Sequence, residues 1–101
     1  MSVAKLDWAD PTMRTNGKPL DPADIARIDI YDSLVNPSNP SASVAGGVGT
    51  YTTGELDSGT HVFTLVVLDT DGDSSAASNP ATAKITPAPP AAITTLQVTV
   101  I

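Results

Sequence analysis

Residues 56–75, LDSGTHVFTLVVLDTDGDSS, read as a tight turn, one long strand, a second turn and the start of another strand. Ser58-Gly59 supplies the first turn, because glycine takes a positive φ at no steric cost. From Thr60 to Leu68 nearly every residue is β-branched, aromatic or aliphatic, which suits a pleated, largely buried strand. Asp69-Thr-Asp-Gly-Asp73 then interrupts the run with short polar side chains around Gly72, the chemistry of a hairpin. His61, Phe63, Leu65 and Val67 fall on one face, and Val62, Thr64, Val66 and Leu68 on the other. A strand apolar on both faces is expected in the middle of a packed sheet, with the other segments laid against it.

Those segments can be read outward from it. Val3 to Trp8 alternates Ala4, Leu6 and Trp8 with Val3, Lys5 and Asp7, the pattern of a half-buried strand. Asp10-Pro11 ends it, and Thr12 to Asp24 is a long loop punctuated by Asn16-Gly17, Pro19 and Asp21-Pro22. Ala26, Ile28 and Ile30 then alternate with Arg27, Asp29 and Tyr31, again a strand with one inward face. Asp32 to Ser43 reads as a mobile loop, and Val44 to Thr53 as a weakly paired stretch until Tyr51. Ala76 to Thr86 is expected to be the hairpin partner of the long strand, with Pro80 marking a sheet edge or a bulge. Short strands at regular spacing with turns between them, and no helical period, predict an all-β sandwich or barrel.

The chain of 101 residues has the size of one domain, since domains commonly run to roughly 100–150 residues. It contains no cysteine, which removes disulfides, thiolate metal sites and thiol catalysis together. The net charge of −6 and the scattering of Lys5, Arg14, Lys18, Arg27 and Lys84 speak against nucleic acid, whose phosphates need clustered cations. No apolar run approaches the ~20 residues of a membrane helix, so no membrane partner is expected. The first residues, MSVAKLDWADP, lack the charged-then-apolar order of a signal peptide. Read as a complete product, the chain is expected to be made soluble, without a cleaved signal.

Several motifs in order carry a resemblance: Trp8, Asp10-Pro11-Thr12, Gly17-Lys-Pro-Leu20, Ile25-Ala26, Ile28-Asp-Ile-Tyr31, Tyr51-Thr-Thr, Leu56-Asp-Ser-Gly-Thr60 and Asp69-Thr-Asp-Gly72. Over about residues 3–86 the chain resembles fibronectin type III domains of the bacterial and phage type. The resemblance implies an immunoglobulin-like antiparallel β-sandwich in which the tryptophan ends the second strand and packs in the core. It says little about function, because that fold hosts adhesion, spacing, ligand binding and virion structure alike. Two departures stand out. The family's tyrosine near the start of the sixth strand is replaced by His61 or Val62, depending on register, and the family's first strand has almost no room before Trp8.

A further strand follows at the other end. Residues 87–92, PAPPAA, form a stiff polyproline-type spacer between a 1–86 sandwich and a 93–101 arm. In the arm, Leu96, Val98 and Val100 share one face, with Thr95, Gln97 and Thr99 on the other. It looks like the proline-led strand that opens a following fibronectin-type domain. The spacer covers about 20 Å at 3.1 Å per residue, whereas a nine-residue strand is about 30 Å long. Returning along its own domain is therefore tight, although pairing beside the last strand needs no full return; the alternative is β-strand addition to another molecule. A frayed tail is the third possibility, against which the clean alternation argues. Leu96, Val98 and Val100 are the expected interaction residues.

Little catalytic or metal chemistry is indicated. One histidine, with no nucleophile motif near it, leaves Ser-His-Asp machinery without parts, and a lone histidine is a poor metal site. Asp69, Asp71 and Asp73 resemble the opening of a calcium loop and are weak calcium candidates. The glycine sits at the fourth position, however, and no glutamate follows at the twelfth. No cofactor is expected, and no enzyme activity. The expected function is a non-catalytic structural or interaction protein of a tailed-phage virion, as capsid decoration or tail accessory, partnered by virion proteins or by itself. The alternative is a spacer or adhesion module of a bacterial surface protein or a secreted carbohydrate-active enzyme, located extracellularly or at the cell surface.

Overall fold

The computed structural model describes residues 2–87 and 89–101. Met1, at the start of the expected 1–86 sandwich, and Ala88, within the expected spacer, lie outside the described residues. The fold is all-β: strands β1 (Lys5–Asp7), β2 (Ile25–Asp32), β3 (Ala42–Val44), β4 (Thr50–Thr52), β5 (Gly59–Asp69) and β6 (Ala81–Ile85), with one 3₁₀ turn at Pro22–Asp24. They form two antiparallel sheets, β1-β4 and β3-β2-β5-β6, in a sandwich-like arrangement. The core lies between them. Leu20, Ile25 and Ile28 are buried there, with Trp8, Val44, Leu65 and Val67 packed against them. Ile30 and Phe63 are buried as well.

The long strand occupies the expected place, hydrogen-bonded to β2 on one side and β6 on the other. Its two faces differ. On the inner face His61 and Phe63 are buried and Leu65 and Val67 half-buried, whereas all four outer residues, Val62, Thr64, Val66 and Leu68, are only half-buried. The expectation of burial on both faces is corrected: β5 is central within its sheet, and a second layer lies on one side of that sheet only. Its apolar outer residues are covered by their own cross-strand neighbours such as Tyr31, paired with Thr64.

The alternation predicted for β2 fails at one position. Ile25 pairs with Asp69 and Arg27 with Leu68, so Ala26 is an extra residue in a bulge and is exposed. The inward set is therefore Ile25, Ile28, Ile30 and Asp32 rather than Ala26, Ile28 and Ile30. Within the predicted loop, residues 42–44 add β3 at the edge of the larger sheet, where the Ser43 hydroxyl donates to the Asp29 carboxylate at 2.6 Å. Gly59 opens β5 at φ +136°, a conformation that favours glycine, while the Leu34 methyl 2.8 Å from where a Cβ would lie ends a flexible side chain and can give way.

After Gly72 (φ +88°) the return strand starts irregularly. Ser75 and Ser78 accept the Val67 and Leu65 N–H groups on their hydroxyls, while their own N–H groups donate to the Val67 and Leu65 carbonyls. Regular pairing begins only after Pro80, and β6 is an edge strand, as the proline implied. Residues 86–101, apart from Ala88, carry no regular pairing. The half-buried strand expected at 93–101 is instead fully exposed, because nothing of its own molecule lies beside it among the described residues. The molecule measures 84 × 23 × 18 Å.

Candidate functional site

Three places carry polar or unsatisfied chemistry. The first is His61, whose ring is 1% exposed. Asp32 is the fourth inward residue of β2, so the strand's period places a carboxylate in the core, 2% exposed. Its Oδ2 lies 2.6 Å from His61 Nδ1, its Oδ1 accepts the Leu34 N–H, and its carbonyl accepts the N–H groups of Val35 and Asn36. On the other side of the ring, Nε2 lies 2.8 Å from the Asp57 carbonyl oxygen. A carbonyl only accepts, so Nε2 carries a proton. The bonds to the Asp57 carbonyl and to the Asp32 carboxylate raise the His61 pKa above its ordinary 6.5, against burial, which lowers it. With one ring nitrogen against a carboxylate and the other donating to a carbonyl, His61 ties β2, the turn after it and the corner before β5 into one knot. Ring and carboxylate are both enclosed, leaving neither nitrogen open to a substrate.

The second place is the acidic turn. Asp69 Oδ1 accepts the N–H groups of Asp71 and Asp73, and Oδ2 accepts from Arg14 Nη1 at 3.2 Å. The Asp73 N–H chiefly, with Arg14 adding, lowers the Asp69 pKa below 3.8. Asp69, Asp71 and Asp73 do not converge. Among the described residues no three acidic or histidine side chains are grouped to hold a metal ion. Asp69 instead serves the backbone of its own turn and pins the 12–20 loop to it through Arg14.

The third place is the margin of the smaller sheet. Ala4, Leu6 and Trp8 direct their backbone groups toward β4 and its flanks: Thr53 N–H donates to the Ala4 carbonyl and Trp8 N–H to the Gly49 carbonyl. In an antiparallel ladder the alternate residues point their N–H and C=O groups the other way. Val3, Lys5 and Asp7 therefore present theirs to a side on which β1 has no neighbouring strand among the described residues. Beneath this edge runs an open cleft of about 480 Å³ between the sheets, floored by Trp8, Ile28, Leu65 and Val67 and rimmed by Ser75, Ser78 and Asn79. A smaller hollow of about 110 Å³ continues it toward Leu6, Phe63 and Ala81. Trp8 is half-buried rather than enclosed, with its indole N–H held by Asp10 Oδ1 at 3.0 Å.

Leu96, Val98 and Val100, the interaction residues expected from the sequence, lie far outside this core at 90%, 90% and 94% exposure. The sequence indicated the arm but missed the cleft, whose walls come from strands distant in the chain. Asp32 was missed too, although an aspartate two residues beyond Ile30 on an inward face needs a partner, and the chain has one histidine. No protein-family model matches this chain, and no curated protein or solved structure matches it either.

Proposed function

We propose that this chain is a non-catalytic structural and interaction protein that docks through a C-terminal arm, most concretely a tailed-phage virion component, as capsid decoration or tail accessory. The observation that carries the reading is the arm itself: a segment of alternating apolar and polar residues, unpaired and exposed beside a sandwich-like body. Exposed apolar surface on that scale marks an interaction site. Burying each of Leu96, Val98 and Val100 is worth about 1.5–3 kcal/mol before ordering costs. The finer fold reading, a fibronectin type III-like sandwich, rests on the motifs from Trp8 to Gly72, and the virion assignment rests on the same resemblance. A spacer or adhesion module of a surface protein is the second reading, favoured by the proline-led form of residues 87–101, which looks like the opening of a following domain.

The test replaces Leu96, Val98 and Val100 together with serine in the full chain. Circular dichroism is expected to be unchanged in the body while binding or self-association, followed by light scattering against concentration, is lost. Association that survives the triple substitution overturns the docking arm. Immunogold labelling of phage particles from cells carrying this sequence tests the location, and unlabelled particles overturn the virion assignment.

A further inference from the structure

We infer that the arm's receptor is the bare β1 edge and the cleft beneath it on a second copy of this chain, so that copies join head to tail by strand addition. The inference rests on the docking-arm reading and adds its partner. Receptor and arm complement one another group by group. The edge offers the free N–H and C=O groups of Lys5 and Asp7, and an added strand satisfies both. The cleft offers Trp8, Phe63, Leu65 and Val67 to one face of that strand, with Ser78 and Asn79 at the rim. The arm alternates to match, Leu96, Val98 and Val100 inward and Thr95, Gln97 and Thr99 outward. It also carries no charged side chain from Thr86 to Ile101, so no ion is stripped of water when it enters the cleft.

The donor is a second copy for a geometric reason. Trp8 and Leu65 line both hollows, but Leu6, Phe63 and Ala81 line only the smaller one and Ala9, Val67 and Ser75 only the larger, so β1 runs in the direction of β5. The arm leaves its own body beyond Ile85, which pairs with Gly59 at the Phe63 end. Every ladder of this fold is antiparallel, and an arm that keeps that sense on β1 must start at the Val67 end; Gly59 to Val67 spans ~26 Å at ~3.3 Å per residue. Residues 86–92, stiffened by Pro87, Pro89 and Pro90, reach ~22 Å at 3.1 Å per residue and must also reverse direction. An arm from another molecule meets no such limit.

The absence of cysteine makes the test clean. Full-length Lys5→Cys is mixed with full-length Thr95→Cys, Gln97→Cys or Thr99→Cys, since outward-facing residues of β1 and of an added strand lie side by side. Oxidation is expected to give a mixed disulfide dimer, identified by mass spectrometry, at least tenfold more abundant with Lys5→Cys than with Lys84→Cys on the competing β6 edge. Preference for Lys84→Cys overturns the inference. So does the double variant Lys5→Cys/Gln97→Cys if, when dilute, it closes into a monomer with an internal disulfide. Arm-dependent association without any Lys5→Cys cross-link overturns the receptor while leaving the docking arm standing. A chain monomeric at every concentration overturns the second-copy partner, and the arm reading then stands or falls by the triple-serine test with other proteins.

Discussion

A buried histidine whose pKa is raised on folding stabilises the fold more in its protonated form than in its neutral one. The His61 pKa is raised in the folded chain, so this contribution is fully present below the unfolded value of about 6.5 and is lost as pH rises through the folded value. The urea midpoint is therefore expected to decline on the alkaline side. His61→Leu removes the slope and, by leaving Asp32 enclosed with one partner fewer, lowers stability by about 3 kcal/mol or more. Urea titrations of both proteins between pH 5.5 and 9 check this, and a parallel decline in His61→Leu assigns the pH dependence elsewhere. At this scale the sequence was half legible. Position 61 stands out in the sequence only as the one histidine in a largely apolar strand, and in the fold it holds the corner before β5 through the Asp57 carbonyl. Its second bond depends on the end of β2, 29 residues away in sequence, and no local pattern pairs the two.

Among the elements, alternation located β1, β2, β5 and the return strand, because one face of each meets the core and period two is written directly in the residues. It failed where pairing rather than burial sets the structure. The bulge at Ala26 is a register event between β2 and β5, and β3 and β4 are three residues each, too short for a period. The β5–β6 turn was legible as a hairpin but not in its internal wiring. Asp69 holds that turn through its own carboxylate, and its lowered pKa means that the contribution is present above the unfolded carboxylate value and lost as pH falls through the folded one. Asp69→Asn is accordingly expected to lower the melting temperature at neutral pH and to bring it closer to wild type in acid. Thermal melts at pH 7 and pH 3 measure the difference, and an equal deficit at both excludes a charge-dependent role.

For the molecule as a whole, the −6 charge is carried entirely outside the uncharged arm. Two bodies joined head to tail therefore repel through their sandwiches while attracting through an apolar strand. Screening weakens the first term and leaves the second nearly intact, because the Debye length falls from about 30 Å at 0.01 M salt to about 8 Å at 0.15 M. Association is expected to strengthen as sodium chloride rises over that range, and sedimentation velocity at fixed protein concentration reads it out. Weakening with salt instead points to an interface held by ion pairs. A heterologous contact of this kind closes into a ring or continues as a fibre. None of this could be read without the fold, since the arm is visible in residues 93–101 but its receptor is assembled from Lys5, Leu65 and Ser78, three distant parts of the chain.

The pairing of β2 with β5 also sets a clock. Its contacts join residues 25–32 to residues 63–69, whereas the β5–β6 hairpin closes around a single acidic turn. Loop-closure entropy makes the hairpin the cheap first event and the β2–β5 register the slow one, so the chain belongs with β-sheet proteins that fold in milliseconds to seconds. Until β2 pairs, the strand 60–68 lacks its β2 neighbour, and Asp69, Asp71 and Asp73 place a cluster of negative charge at its end, the position where charged residues oppose strand-to-strand aggregation.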